Sequence, residues 1–185
     1  MIYKTLFVFI FLIVTSSLHS YASEIGYIDF KYILKNSLPS INLQKELDIG
    51  RNLFQKSINK EEIALRQAEK ELNQKKDNIS NDEFQELVKD FERKVASIQK
   101  LVQKSRQQLE TNFQVSQKLI ADKVNELVAE LAEKENILIM FKTNNIIYAN
   151  EKINFTDIIL GELNKKEGEF NFRKIYTDMI DNLNK

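Results

Sequence analysis

The sequence predicts an α+β chain that is mostly helical, in which a long antiparallel helical hairpin projects from a small β-body completed by oligomerisation. Three observations predict it. The 185 residues include one Pro, four Gly and no Cys or Trp, with 29% charged residues, a balance that favours long uninterrupted helices over a turn-rich sheet protein. One cluster of turn formers in the middle of the chain, Asp77 to Asn81 (DNISN), separates two runs of helical periodicity. Short apolar runs of β type flank that pair on both sides.

The first segment addresses the protein rather than folding it. Met1 to Lys4 is a short basic start, Leu6 to Val14 (LFVFIFLIV) is unbroken apolar sequence, and small residues at Ser20 and Ala22 suit cleavage after Ala22. An uncleaved anchor is the competing reading, but the apolar run is far short of the ~20 helical residues that span a bilayer. A secretory signal peptide over residues 1–22 places the mature chain in the periplasm or beyond. No Cys follows it to carry a lipid.

Residues 23–38 then supply a strand, Glu24 to Asp29 (EIGYID), and a short helix from Phe30 to Asn36. Residues 39–136 form the hairpin. Its first helix starts at Pro39, with Ser37 or Ser40 as cap, and runs to about Asn78 with Gly50 as its only weak point. Ser80 followed by Glu83 is a capping box that starts the second helix, and the tip lies near residues 77–81. No Pro or Gly then intervenes until past Asn136, so roughly 56 residues make a rod of about 84 Å. The first rod, at about 39 residues and 58 Å, leaves the last ~17 residues of the second without that partner. Leu119, Ile120, Val124, Leu127, Val128 and Leu131 therefore need other cover.

The apolar positions of the second rod recur at a mean of ~3.6 residues when Ser105 and Ser116 are counted in the series, so the hairpin is nearly straight rather than supercoiled. The first rod has a thinner series, Leu43, Leu47, Phe54, Ile58, Leu65 and Leu72, and Gln103 to Lys118 is sparse as well.

Residues 137–165 return to the body. Ile137 to Lys142 (ILIMFK) and Ile146 to Ala149 (IIYA) read as a β-hairpin joined through Thr143-Asn144-Asn145. The first of these strands is apolar on both faces, which one chain of this size cannot cover, and this implies further protomers. The residues expected to form the oligomeric body are Ile25, Tyr27, Ile139, Phe141 and Ile147. Asn154 or Thr156 caps a helix from Asp157 to about Lys165. Lys165 to Glu169 (KKEGE) reads as a polar linker, and Phe172, Ile175, Tyr176, Met179, Ile180 and Leu183 make residues 166–185 an amphipathic tail expected to dock on the body.

Composition excludes several functions. Lys plus Arg equals Asp plus Glu at 27 each, so no basic excess draws the chain to nucleic acid. His19, the only histidine, lies in the leader, which leaves the mature chain without imidazole or thiol for zinc binding or acid–base catalysis. The four glycines are isolated, so no phosphate loop exists, and Asp77, Asp82 and Glu83 lack the spacing of a calcium loop. Neither an enzyme nor a cofactor is implied. Phe54, Phe84, Phe91, Leu109 and Phe113 fit two roles, the seam between the two helices or a surface that grips unfolded apolar segments.

The order of strand, short helix, long hairpin, strands and capping helix behind a signal peptide resembles the Skp (OmpH) family of periplasmic chaperones. The resemblance is carried by Glu24 to Lys35 (EIGYIDFKYILK) and by Ile137 to Leu163 with its Asn154-Phe155-Thr156 turn, where the family commonly has Asp at the first turn position. It implies a homotrimer with a central β-body and three tentacles around a cavity, which holds unfolded outer-membrane proteins without ATP and works in transient proximity to the membrane. Two features depart from the family. Several members are strongly basic, whereas loss of Lys4 from 27 basic against 27 acidic residues leaves this mature chain at −1, which weakens electrostatic capture of clients and of lipopolysaccharide. The tail after Lys165 is also outside the pattern. A structural coiled-coil scaffold of the cell envelope is the alternative function.

Overall fold

A computed structural model describes residues 25–174. The signal peptide expected over residues 1–22 and the part of the expected tail helix beyond residue 174 lie outside the described residues. Strand β1 (Ile25–Ile28) passes directly into helix α1 (Phe30–Asn36) because Asp29 caps it, its carboxylate accepting the Tyr32 N–H at 2.8 Å. Helix α2 (Leu38–Lys75) follows after Ser37 alone, with Pro39 in its first turn, where a missing N–H loses no bond. Ser37 does not cap α2 through its side chain. Its hydroxyl donates to Ser40 Oγ, and the free Leu38 N–H donates instead to Asn164 Oδ1 at 2.7 Å.

Ser80 starts helix α3 (Asn81–Glu135) with both halves of a capping box: its hydroxyl oxygen accepts the Glu83 N–H, and the Glu83 carboxylate accepts the Ser80 N–H. Asn136 ends α3 in the left-handed region at φ 54°, a conformation its short polar side chain tolerates. At 38 and 55 residues the two helices are about 57 and 82 Å long.

Packing is uneven along this hairpin. Toward the tip, α2 has no buried side chain beyond Ile58 and α3 has none before Ser105. Toward the root, Ile33, Leu43, Leu47, Ile120, Val124 and Leu127 join one core with Ile159 and Leu163 from helix α4 (Thr156–Lys165). Each such side chain contributes about 1.5–3 kcal/mol, so the root is stable and the arms are held mainly by their own helical hydrogen bonds. Amide exchange is therefore expected to be much faster at residues 74–86 than at residues 124–131; equal protection would contradict this packing gradient.

Strand β2 (Ile139–Lys142) pairs with β1 in parallel, in the register Ile25 with Ile139 and Tyr27 with Phe141. Parallel neighbours need a long crossover, and here the whole helical hairpin is that crossover. The β-hairpin expected between Ile137–Lys142 and Ile146–Ala149 does not form. After β2 the chain enters a 3-10 turn, Thr143–Asn145, and residues 146–149 carry no strand. The reason is the lack of cover: Ile147 and Tyr148 are fully solvent-facing, so pairing there would bury nothing within one chain. The other edge of β1 is occupied by Asn154, which bridges to Tyr27.

Lys165–Glu169, read from the sequence as a linker, is structured. It finishes α4 and forms a 3-10 turn, Glu167–Glu169, in which Asn42 Nδ2 donates to the Glu167 carboxylate and Lys123 Nζ lies 3.3 Å from that of Glu169. Phe172 follows, 4% exposed, stacked on Phe170 and packed into the root core. Truncation after Lys166 removes that buried ring, a loss of roughly 2–3 kcal/mol, and is expected to lower Tm by about 4–10 °C. An unchanged melting curve would show that this segment does not support the body.

Candidate functional site

Two surfaces have the character of binding sites, one on the body and one along the hairpin. The body surface begins with how its two chain-distant segments meet. Tyr27 O accepts the Phe155 N–H at 2.9 Å, and Thr156 Oγ1 accepts the Asp29 N–H at 2.8 Å while donating to Asn154 Oδ1 at 2.6 Å. Asn154 Oδ1 also accepts the Thr156 N–H, which fixes the turn into α4. Gly26 is required by the same contact, since a Cβ there would lie 2.8 Å from the Phe155 ring. The sequence segment Glu24–Lys35 and the Asn154-Phe155-Thr156 turn are thus one hydrogen-bonded unit.

Beside this unit an apolar recess of about 560 Å³ is lined by Ile25, Tyr27, Phe141, Ile147, Tyr148 and Ile153, among others. Four of the five residues expected at the oligomeric body line it. Tyr27 is buried, and both burial and the nearby Glu151 carboxylate push its hydroxyl pKa up. Ile25, Phe141 and Ile147 are 46, 41 and 107% exposed. The fifth, Ile139, is outside the recess, half-exposed and paired with Ile25. Ile25, Tyr27, Ile139 and Phe141 share one face of the sheet by this register, and that face is apolar and largely open.

The family model for outer membrane protein (OmpH-like) matches residues 24–163. The chain belongs to the OmpH-like family. The match takes in β1, α1, the hairpin, β2 and α4 as far as Leu163. A crystal structure from Caulobacter crescentus CB15, described as a candidate OmpH-like outer membrane chaperone, has the same fold, with a TM-score of 0.71 at 16% identity, covering 78% of this chain and 85% of that one. No curated protein matches the sequence.

In this OmpH-like chain the five residues that the sequence offered for client contact are divided between the interior and the surface. Phe54 and Leu109 are buried in the seam between α2 and α3, so in this conformation they present no face to a client. Phe84 and Phe91 are half-buried in the outer arm. Phe113 is half-buried and lines a cleft of about 600 Å³ at the hairpin root, with Leu34, Ile41, Leu43 and Ile120. The serines in the α3 apolar series also belong to the seam: Ser105 and Ser116 are fully buried, and the Ser105 hydroxyl donates to Leu101 O.

Ile41, Ile49, Leu53 and Ile63, which the sequence reading passed over, are 41–66% exposed on α2. A second helical series offset from the seam was the signal that could have found them. Beyond Leu163 the family match ends, and the segment that docks there is held by charge as well as by Phe172. Hydrogen bonds first from Lys166 and then from Lys123 hold the Glu169 carboxyl below the usual carboxylate range. Among the described residues no group of three His, Cys, Asp or Glu side chains could hold a metal ion, and no helix is long and apolar enough to cross a membrane.

Proposed function

We propose that this OmpH-like chain is an ATP-independent periplasmic holdase chaperone, not an enzyme, which binds unfolded outer-membrane proteins in a cavity between helical tentacles and prevents their aggregation. The observation that carries this reading is a hairpin about 82 Å long on its longer arm, with no buried side chain in either helix between Ile58 and Ser105, rooted on a well-packed body. Arms that bury so little of themselves leave surface for a client and open easily around it. The name of the Caulobacter crescentus relative supports the same role.

Three chains assemble through the apolar sheet face and the recess beside it, because a contiguous exposed patch of this kind is a contact surface rather than a solvated one. The N-terminal leader directs the chain to the periplasm, with cleavage after Ala22. Many weak apolar contacts inside one enclosure hold different clients without demanding one sequence. The near-neutral charge of the mature chain makes lipopolysaccharide a poor ligand.

The test is light scattering from a urea-unfolded β-barrel protein diluted into buffer without nucleotide. Stoichiometric mature protein is expected to suppress the aggregation signal. Failure with several clients would put the envelope scaffold ahead, although a scaffold requires a dense seam that the outer hairpin lacks.

A further inference from the structure

Resting on the holdase reading, we propose that the client-gripping surface is the face of α2 turned away from α3, and that it takes extended, β-strand-forming segments rich in acidic residues. Ile41, Ile49, Leu53 and Ile63 are 52, 41, 42 and 66% exposed. At 100° per residue they fall in an arc of roughly 120° opposite the seam defined by Leu43, Leu47, Phe54 and Ile58. The arms differ in this respect: among the described residues α3, the longer helix, exposes only Val115 and Leu119 of its large apolar side chains.

Spacing and charge select the occupant. The four apolar residues are separated by about 12, 6 and 15 Å along the helix axis. An extended chain presents side chains on one face about every 7 Å, so alternate residues of a β-type segment meet them at intervals of roughly two, one and two repeats. The same arc carries Lys45, Lys56, Lys60 and Lys70, all exposed, whereas Glu46, Asp48, Glu61, Glu62 and Glu69 fall outside it at 100° per residue. None of these lysines is in an ion pair among the described residues. A neutral chain thus concentrates unpaired positive charge beside its exposed apolar stripe, which favours clients whose polar positions are acidic. At its root end the stripe reaches the rim of the root cleft, whose lining includes Ile41. A second copy packed face to face would bring the lysines together, which disfavours it.

The experiment uses the mature chain with p-benzoylphenylalanine in place of Ile63, or of Arg93 on the far face of α3, and a urea-unfolded acidic β-barrel protein as client. Photocrosslinking to the client is expected from position 63 and much less from 93. The exposed triple variant Ile49→Ser, Leu53→Ser and Ile63→Ser is expected to bind the client about tenfold more weakly or worse, with unchanged circular dichroism. Lys45→Gln, Lys56→Gln and Lys60→Gln together are expected to weaken an acidic client more than a basic one. Equal crosslinking from both positions, crosslinking of position 63 to a second copy, or undiminished binding by the triple variant overturns the proposal while the holdase reading stands. A wild-type chain that binds no client overturns both.

Discussion

Val124→Asp is expected to abolish the cooperative unfolding transition of the root. Val124 is fully buried in the apolar cluster that joins α3 to α1, α2 and α4. An ionised carboxylate there is uncompensated, a loss of about 4 kcal/mol or more. The control is on the same helix: Val115, 52% exposed, can become Asp within about 0.5 kcal/mol of wild type. Calorimetry of both variants checks the contrast. Similar melting of the two would mean that the root core is not where the stability resides.

The second large effect concerns assembly. Ile139→Asp with Phe141→Asp is expected to reduce the proposed oligomer to single chains, because each charge would be buried unpaired in the proposed contact between protomers. In one chain alone these side chains are 50 and 41% exposed, so helix content should be preserved. Multi-angle light scattering together with circular dichroism separates the outcomes. An oligomer that survives both substitutions would place its interface away from this sheet face.

Much of this architecture was legible because its signals are local. The capping box at Ser80 and Glu83, the proline after Ser37 and the 3.6-residue apolar series fix helix ends and the seam without reference to distant contacts. The parallel pairing of β1 with β2 was not legible. Partner choice depends on which strand edges the long crossover brings together, and two short apolar runs separated by Asn residues look like a local hairpin instead. The segment Lys165–Glu169 was misread for a similar reason: its charges suggested a solvated linker, whereas Lys123 and Asn42, distant in sequence, hold it down. At the candidate site, Phe54 and Leu109 obeyed the same periodicity as the seam and are in it. The exposed residues Ile49, Leu53 and Ile63 were obscured because a charged helix hides a second, sparser series.

Native mass spectrometry of the mature chain mixed with one unfolded β-barrel protein, in the absence of nucleotide, tests the central claim most directly. The predicted result is a dominant species of three chains with one client, beside free trimer. Single chains, or an assembly that never carries client at micromolar excess, would contradict the account.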